Sequence, residues 1–93
     1  MQHYYKVRQA VCSNPNTSPK ILEILSGDRQ KNVRHFVAKN PNTNPEILDI
    51  LGRDRHENIR RAVAYNPNAS LKILKILAED CNESIRCAVA KNL

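Results

Sequence analysis

Residues 33–58 decide the fold: Val33-Arg34-His35-Phe36-Val37-Ala38-Lys39-Asn40-Pro41-Asn42-Thr43-Asn44-Pro45, then Glu46-Ile47-Leu48-Asp49-Ile50-Leu51-Gly52-Arg53-Asp54-Arg55-His56-Glu57-Asn58. The stretch has a copy on either side. Val33-Arg34 answers to Val7-Arg8, Ile59-Arg60 and Ile85-Arg86, each 26 residues from the last. Asn40-Pro41-Asn42 answers to Asn14-Pro15-Asn16 and Asn66-Pro67-Asn68, and Asn92 begins the same element again. Ile47-Leu48-x-Ile50-Leu51 matches Ile21-Leu22-x-Ile24-Leu25 and Ile73-Leu74-x-Ile76-Leu77, while Asp28, Asp54 and Asp80 keep the same step without a gap. A fixed period of this length marks a stacked-repeat architecture. The units are 7–32, 33–58, 59–84 and a partial 85–93, with 1–6 as an N-terminal extension of one domain, 1–93.

Each unit predicts two short helices. Ser18, Asn44 and Ser70 share one position and suit an N-cap. Pro19 and Pro45 follow, where a missing amide costs nothing; Leu71 stands there in the third unit. The Ile-Leu-x-Ile-Leu block places apolar residues at helical and not strand spacing. It covers only about two turns, short enough for part of it to be 3₁₀. The other helix is predicted to begin near Asp28, Asp54 and Asp80, with Asp54-x-x-Glu57 and Asp80-x-x-Glu83 as capping boxes; Lys31 breaks the box in the first unit. Val33, Phe36 and Val37 then form one stripe, and Asn-Pro ends the helix by pushing the residue before proline out of the α region. Neither helix can bury its stripe alone. Stacked units build one core.

The run Val-Arg-x-x-Val-Ala-x-Asn-Pro-Asn-Thr-x-Pro, seen at Val33–Pro45, resembles the variant leucine-rich repeat family, and the likeness covers nearly the whole chain. The resemblance implies an all-α, right-handed α-solenoid of short α- and 3₁₀-helices, related to HEAT and armadillo arrays. The founding type also carries an N-terminal cysteine cluster around an iron–sulfur centre. No such cysteines open this chain, so no cofactor is expected.

Composition bounds the function. Ninety-three residues make one small domain with 4% aromatics and no Trp, so the core is aliphatic. No apolar run spans a membrane, and Met1–Lys6 has no secretory pattern, which points to the cytoplasm. Cys12, Cys81 and Cys87 are odd in number and lack framework spacing, as free thiols in a reducing compartment would be. A net charge of +6 favours anionic partners.

Two sets of residues stand out. The first is a column of Arg8, Arg34, Arg60 and Arg86. Asp28, Asp54 and Asp80 lie six residues before the last three, so an internal Asp–Arg ladder is expected, with Arg8 left free. A phosphate-gripping ladder is the alternative. The asparagine columns are expected to satisfy turns. The second set is a basic, variable face on the helices that carry the arginines. His35 and Lys39 lie one turn apart, as do Arg61 and Tyr65, with Gln9, Ser13, Cys87 and Lys91 at matching positions. Arg29, Lys31 and Arg55 lie in the turns before. Tyr4 and Tyr5 are expected to cover the N-terminal end of the core. His3, His35 and His56 form no ligand pair, and no nucleophile–base set or Gly-rich phosphate loop occurs, so neither a metal site nor an enzyme is expected.

The C-terminal helix, with Ile85 and Val89, is expected to lack a cover on one side. That leaves a small exposed patch, a homodimer through this end, or continuation in a longer array. The expected function is a non-catalytic interaction module. Its basic face would bind an acidic protein segment; a nucleic-acid backbone on the same face is the alternative.

Overall fold

The computed structural model describes residues 4–93. Met1, Gln2 and His3 lie outside the described residues, and with them the reading of His3 and half of the N-terminal extension. Seven α-helices and no strands make up the described chain: α1 Tyr4–Ser13, α2 Pro19–Leu25, α3 Lys31–Lys39, α4 Pro45–Leu51, α5 Glu57–Tyr65, α6 Leu71–Leu77 and α7 Glu83–Asn92. The odd helices stack in order, α1 on α3, α3 on α5 and α5 on α7. Each even helix packs between the two odd helices that flank it in the chain.

Local chemistry sets the boundaries. The side chains of Ser18, Asn44 and Ser70 accept from the amides of Ile21, Ile47 and Ile73, satisfying one orphan donor at the start of each even helix. Asn40 and Asn66 end α3 and α5 in extended conformation, ψ 128° and 125°, because Pro41 and Pro67 come next. No proline follows Asn92, and α7 runs on to it. Among the described residues no backbone has positive φ, so these turns place no demand for glycine.

Two helical expectations are corrected. The even helices are α, not 3₁₀, throughout their seven residues. The aspartates are not N-caps. The caps are Gln30, His56 and Asn82, two residues later, and Asp28, Asp54 and Asp80 accept from the amides of those residues. This short Asx turn uses the carboxylate that a capping box would need.

Leu22, Leu48 and Leu74 from the even helices meet Val33, Ile59, Ile85, Val37, Val63 and Val89 from the odd ones in one core, with Cys12, Ala38 and Ala64 filling the narrow positions. Burial pushes the Cys12 thiol up to about 11, with Asp28 adding to the rise and Arg8 opposing it, so the thiol stays protonated. Gly52 permits a close approach: a Cβ there would lie 2.4 Å from Cγ1 and 2.6 Å from Cδ1 of Ile73. Gly52→Ala forces Ile73 to shift and is expected to cost about 1–2 kcal/mol by overpacking. Urea melts of G52A and of G52A/I73V check this, the second recovering part of the loss.

The two ends differ from expectation. Ile85 and Val89 are buried, so the C-terminal helix does have its valine stripe covered. The exposed stripe is at the other end: Val7 is 62% exposed, whereas Val33, Ile59 and Ile85 in the same column are at most 1% exposed. The stripe of each odd helix faces the preceding odd helix, which explains both observations. The side of α7 facing away from α5 carries Ala90, exposed where Ala38 and Ala64 are buried. Ile85 and Val89 therefore supply no exposed patch at the C-terminal end, where the exposed apolar residues are Ala90 and Leu93. Tyr5 packs against the core, while Tyr4 stays exposed.

Candidate functional site

The arginine column is built into the stack. Arg8 Nε donates to Asp28 Oδ2 at 2.6 Å, Arg34 Nε to Asp54 Oδ2 at 2.8 Å and Arg60 Nε to Asp80 Oδ2 at 2.8 Å. Each carboxylate thus reaches the arginine 20 residues before it, and not the one six residues after. The six-residue partner is bound differently: Nη1 of Arg34, Arg60 and Arg86 donates to the main-chain carbonyl of Asp28, Asp54 and Asp80. One guanidinium therefore clamps two successive loops. Arg8 is paired rather than free, and Arg86 is the member with no carboxylate partner among the described residues.

Burial alone would raise the pKa of these aspartates. The bonds from arginine and from the amides of Gln30, His56 and Asn82 outweigh it, and Asp28, Asp54 and Asp80 all end below the ordinary 3.8.

The asparagines form a second ladder. Asn66 Nδ2 donates to the carbonyls of Ala38 and Asn40, and its Oδ1 accepts from the Asn68 amide. Asn40 repeats this toward Cys12 and Asn14, and Asn92 toward Ala64 and Asn66. Both ladders spend their polar groups inside the chain and leave little for a ligand.

The variable face is different. Between α3 and α5 lies a groove of about 360 Å³, lined by His35, Lys39, Asn58, Arg61, Ala62, Tyr65, Asn66 and Pro67. Four residues picked out by their spacing, His35, Lys39, Arg61 and Tyr65, thus meet in one concavity. Arg29, Arg55 and Lys91 do not line it. Arg29 and Arg55 are exposed in the loops before α3 and α5, and Lys91 lies on α7. A smaller hollow of about 230 Å³ continues past His35 to Lys31, Asn32, His56 and Ile59.

The cations are held in place. Arg61 Nη1 donates to Asn58 Oδ1 at 2.7 Å, one turn earlier on α5, and Nε donates to Ser84 Oγ at 2.8 Å on α7. Lys39 Nζ sits 5.6 Å from the centre of the Phe36 ring. The His35 ring meets Phe36 edge-on at 5.5 Å, and its buried Nδ1 has no hydrogen-bond partner. Burial lowers the pKa of His35; Lys39 and Arg61 lower it further, and a main-chain contact from Asn58 pulls the other way. The groove thus joins an imidazole whose charged form is disfavoured and the apolar surfaces of Ala62, Tyr65 and Pro67 to two cations. Asn58 and Ser84 were missed by reading charge alone. They occupy one repeat position, 26 residues apart, on the same helical face as Arg61.

Cys81 and Cys87 are exposed free thiols. Among the described residues no three His, Cys, Asp or Glu gather as a ligand set, and no helix is long and apolar enough to cross a membrane. Compared with family models, curated proteins and solved structures, the chain matches none.

Proposed function

We propose that this chain is an α-solenoid interaction module that binds an acidic segment of a partner protein in the groove between α3 and α5. The solenoid reading, and the likeness to the variant leucine-rich repeat family with its right-handed winding, are supported by the gapless 26-residue step in the sequence. They are also supported by hydrogen bonds that recur between residues 20, 26 and 28 apart. Exposed thiols at Cys81 and Cys87 favour a reducing compartment such as the cytoplasm.

The observation that carries the binding site is the joining of Lys39 and Arg61 at one concavity with an apolar floor. Arg61 is already fixed by Asn58 and Ser84, so it loses little freedom when a carboxylate arrives. The groove volume equals about a dozen waters at about 30 Å³ each, room for one or two side chains of an extended peptide. A carboxylate can pair with either cation while an apolar neighbour displaces water from Ala62 and Tyr65. The same cations could meet a phosphate chain. The arginine column cannot extend such a contact, because three of its four members are tied to aspartates. A peptide is therefore the better fit.

The test is fluorescence anisotropy with a labelled Asp/Glu-rich peptide library, at low and near-physiological salt, with single-stranded DNA, duplex DNA and RNA as competitors. Acidic peptides should bind, and K39E/R61E should weaken them at least about tenfold with an unchanged melting temperature. Nucleic acid binding with a steep salt slope, and no peptide binding, sinks the reading.

A further inference from the structure

Comparison of the three units shows which solvent-facing positions are free to drift. Positions 20, 46 and 72 are Lys, Glu and Lys; 23, 49 and 75 are Glu, Asp and Lys; 27, 53 and 79 are Gly, Arg and Glu. Ile24, Ile50 and Ile76 do not drift, although they are 68%, 66% and 42% exposed. The other unchanging columns have reasons inside one chain. Arg8, Asn14, Pro15, Asn16 and Asp28 head columns that serve the ladders, the turns and the helix ends. Val11, Ile21, Leu22 and Leu25 head columns that serve the core. The isoleucine column serves neither. It puts one exposed isoleucine at the same position of α2, α4 and α6, a row whose apolar surface would mark an interaction face.

The charges beside the stripe indicate its occupant. Glu46 lies four residues before Ile50 on α4, and Arg53 three residues after it in the turn that follows the helix. Around α6 the order is reversed, with Lys72 on the helix before Ile76 and Glu79 in the turn after it. All four charged residues are exposed, and none forms an ion pair among the described residues. We propose that a second copy of this chain covers the stripe, related by a two-fold axis running along the isoleucine row. That operation lays each even helix antiparallel to its own copy. Ile24, Ile50 and Ile76 meet their counterparts on the axis. Glu46 of one copy faces Arg53 of the other, and Lys72 of one faces Glu79 of the other, twice each, as an isologous interface requires. Lys20 faces Gly27, which adds no repulsion. Three seven-residue helices, each about 10 Å long and spaced by about 8–10 Å, offer a footprint of only about 300 Å². This is below the roughly 800 Å² per partner of a standard interface, so the dimer is weak. The groove between α3 and α5 is not involved.

Sedimentation equilibrium of the full chain, from about 5 to 500 μM, reads the association directly. A monomer–dimer equilibrium is expected. Ile50→Asp should weaken it at least about tenfold, and K72E should weaken it by placing Glu opposite Glu79. The swap K72E/E79K should restore it, because the two charges only change sides. These positions are exposed, and circular dichroism melts verify that each variant is folded. A monomer across the whole range overturns the proposal. So does a dimer indifferent to I50D, or a swap variant no tighter than K72E alone.

Discussion

Asn66→Ala is expected to remove about 3–5 kcal/mol of stability, a loss that Asn40→Ala should match because Asn40 is as buried and makes the same set of bonds. Asn66 is buried and serves three main-chain groups, donating to the carbonyls of Ala38 and Asn40 and accepting from the Asn68 amide. Each buried group left without a partner costs about 1–3 kcal/mol. A chain of this size has roughly 5–14 kcal/mol in total, so about a fifth of it or more goes. The matching change at the other end of the column is the internal control. Asn14 is exposed, and its side chain accepts one bond, from the Asn16 amide. Asn14→Ala should cost under about 1 kcal/mol. Asn66→Asp separates the two kinds of bond. It keeps an acceptor for Asn68 but sets a carboxylate against two carbonyl oxygens, and should do at least as much harm as alanine. Chemical denaturation of the three variants measures this. Equal losses at Asn14 and Asn66 would show that the inter-unit bonds contribute nothing.

The helical class was legible because apolar spacing, caps and prolines act locally, within a few residues of where they are read. Ser18, Asn44 and Ser70 needed no tertiary information. The carboxylate partners of the arginines did. Asp28 is six residues from Arg34 in sequence, but its side chain reaches Arg8, because α1 stacks against α3 and the Gln30 amide holds the carboxylate in an Asx turn. Which odd helix covers a given valine stripe depends on the direction of stacking. Local spacing does not contain that direction, so it points to Ile85 and Val89 as the exposed apolar end where the structure exposes Val7. The groove was half legible. His35, Lys39, Arg61 and Tyr65 share one face by helical spacing plus the repeat step, so they converge once α3 lies beside α5. Arg29 and Arg55 sit in loops whose direction a helical rule does not reach. Asn58 and Ser84 carry no charge, and their role in fixing Arg61 emerged only with the packing of α5 on α7.

Arg60→Ala is expected to cost about 2–3 kcal/mol, while Arg86→Ala, one unit further along, should cost well under 1 kcal/mol. Arg60 bonds Asp80 through Nε and Nη2 and the Asp54 carbonyl through Nη1; Arg86 bonds the Asp80 carbonyl alone. Removing Arg60 leaves the Asp80 side chain, 9% exposed, without its cation. The full 3–5 kcal/mol of a deeply buried pair is not reached, because Arg60 remains open to solvent on one side. The same ladder sets the response to acid. Asp28, Asp54 and Asp80 have folded pKa values below the ordinary 3.8, so the unfolded chain takes up their protons first as the pH falls. Their contribution is complete above about pH 4 and is lost as the pH drops through the folded values. Stability should therefore decline below about pH 4 and stay insensitive to these three groups above it. In Arg60→Ala the first cause that lowers the Asp80 pKa is gone, so the variant should start less stable but lose less on acidification. Urea denaturation of wild type and Arg60→Ala between about pH 2 and 6 gives both curves. Parallel curves would mean that the Arg60–Asp80 pair does not carry the acid response, and that the clamp acts through the Asp54 carbonyl alone.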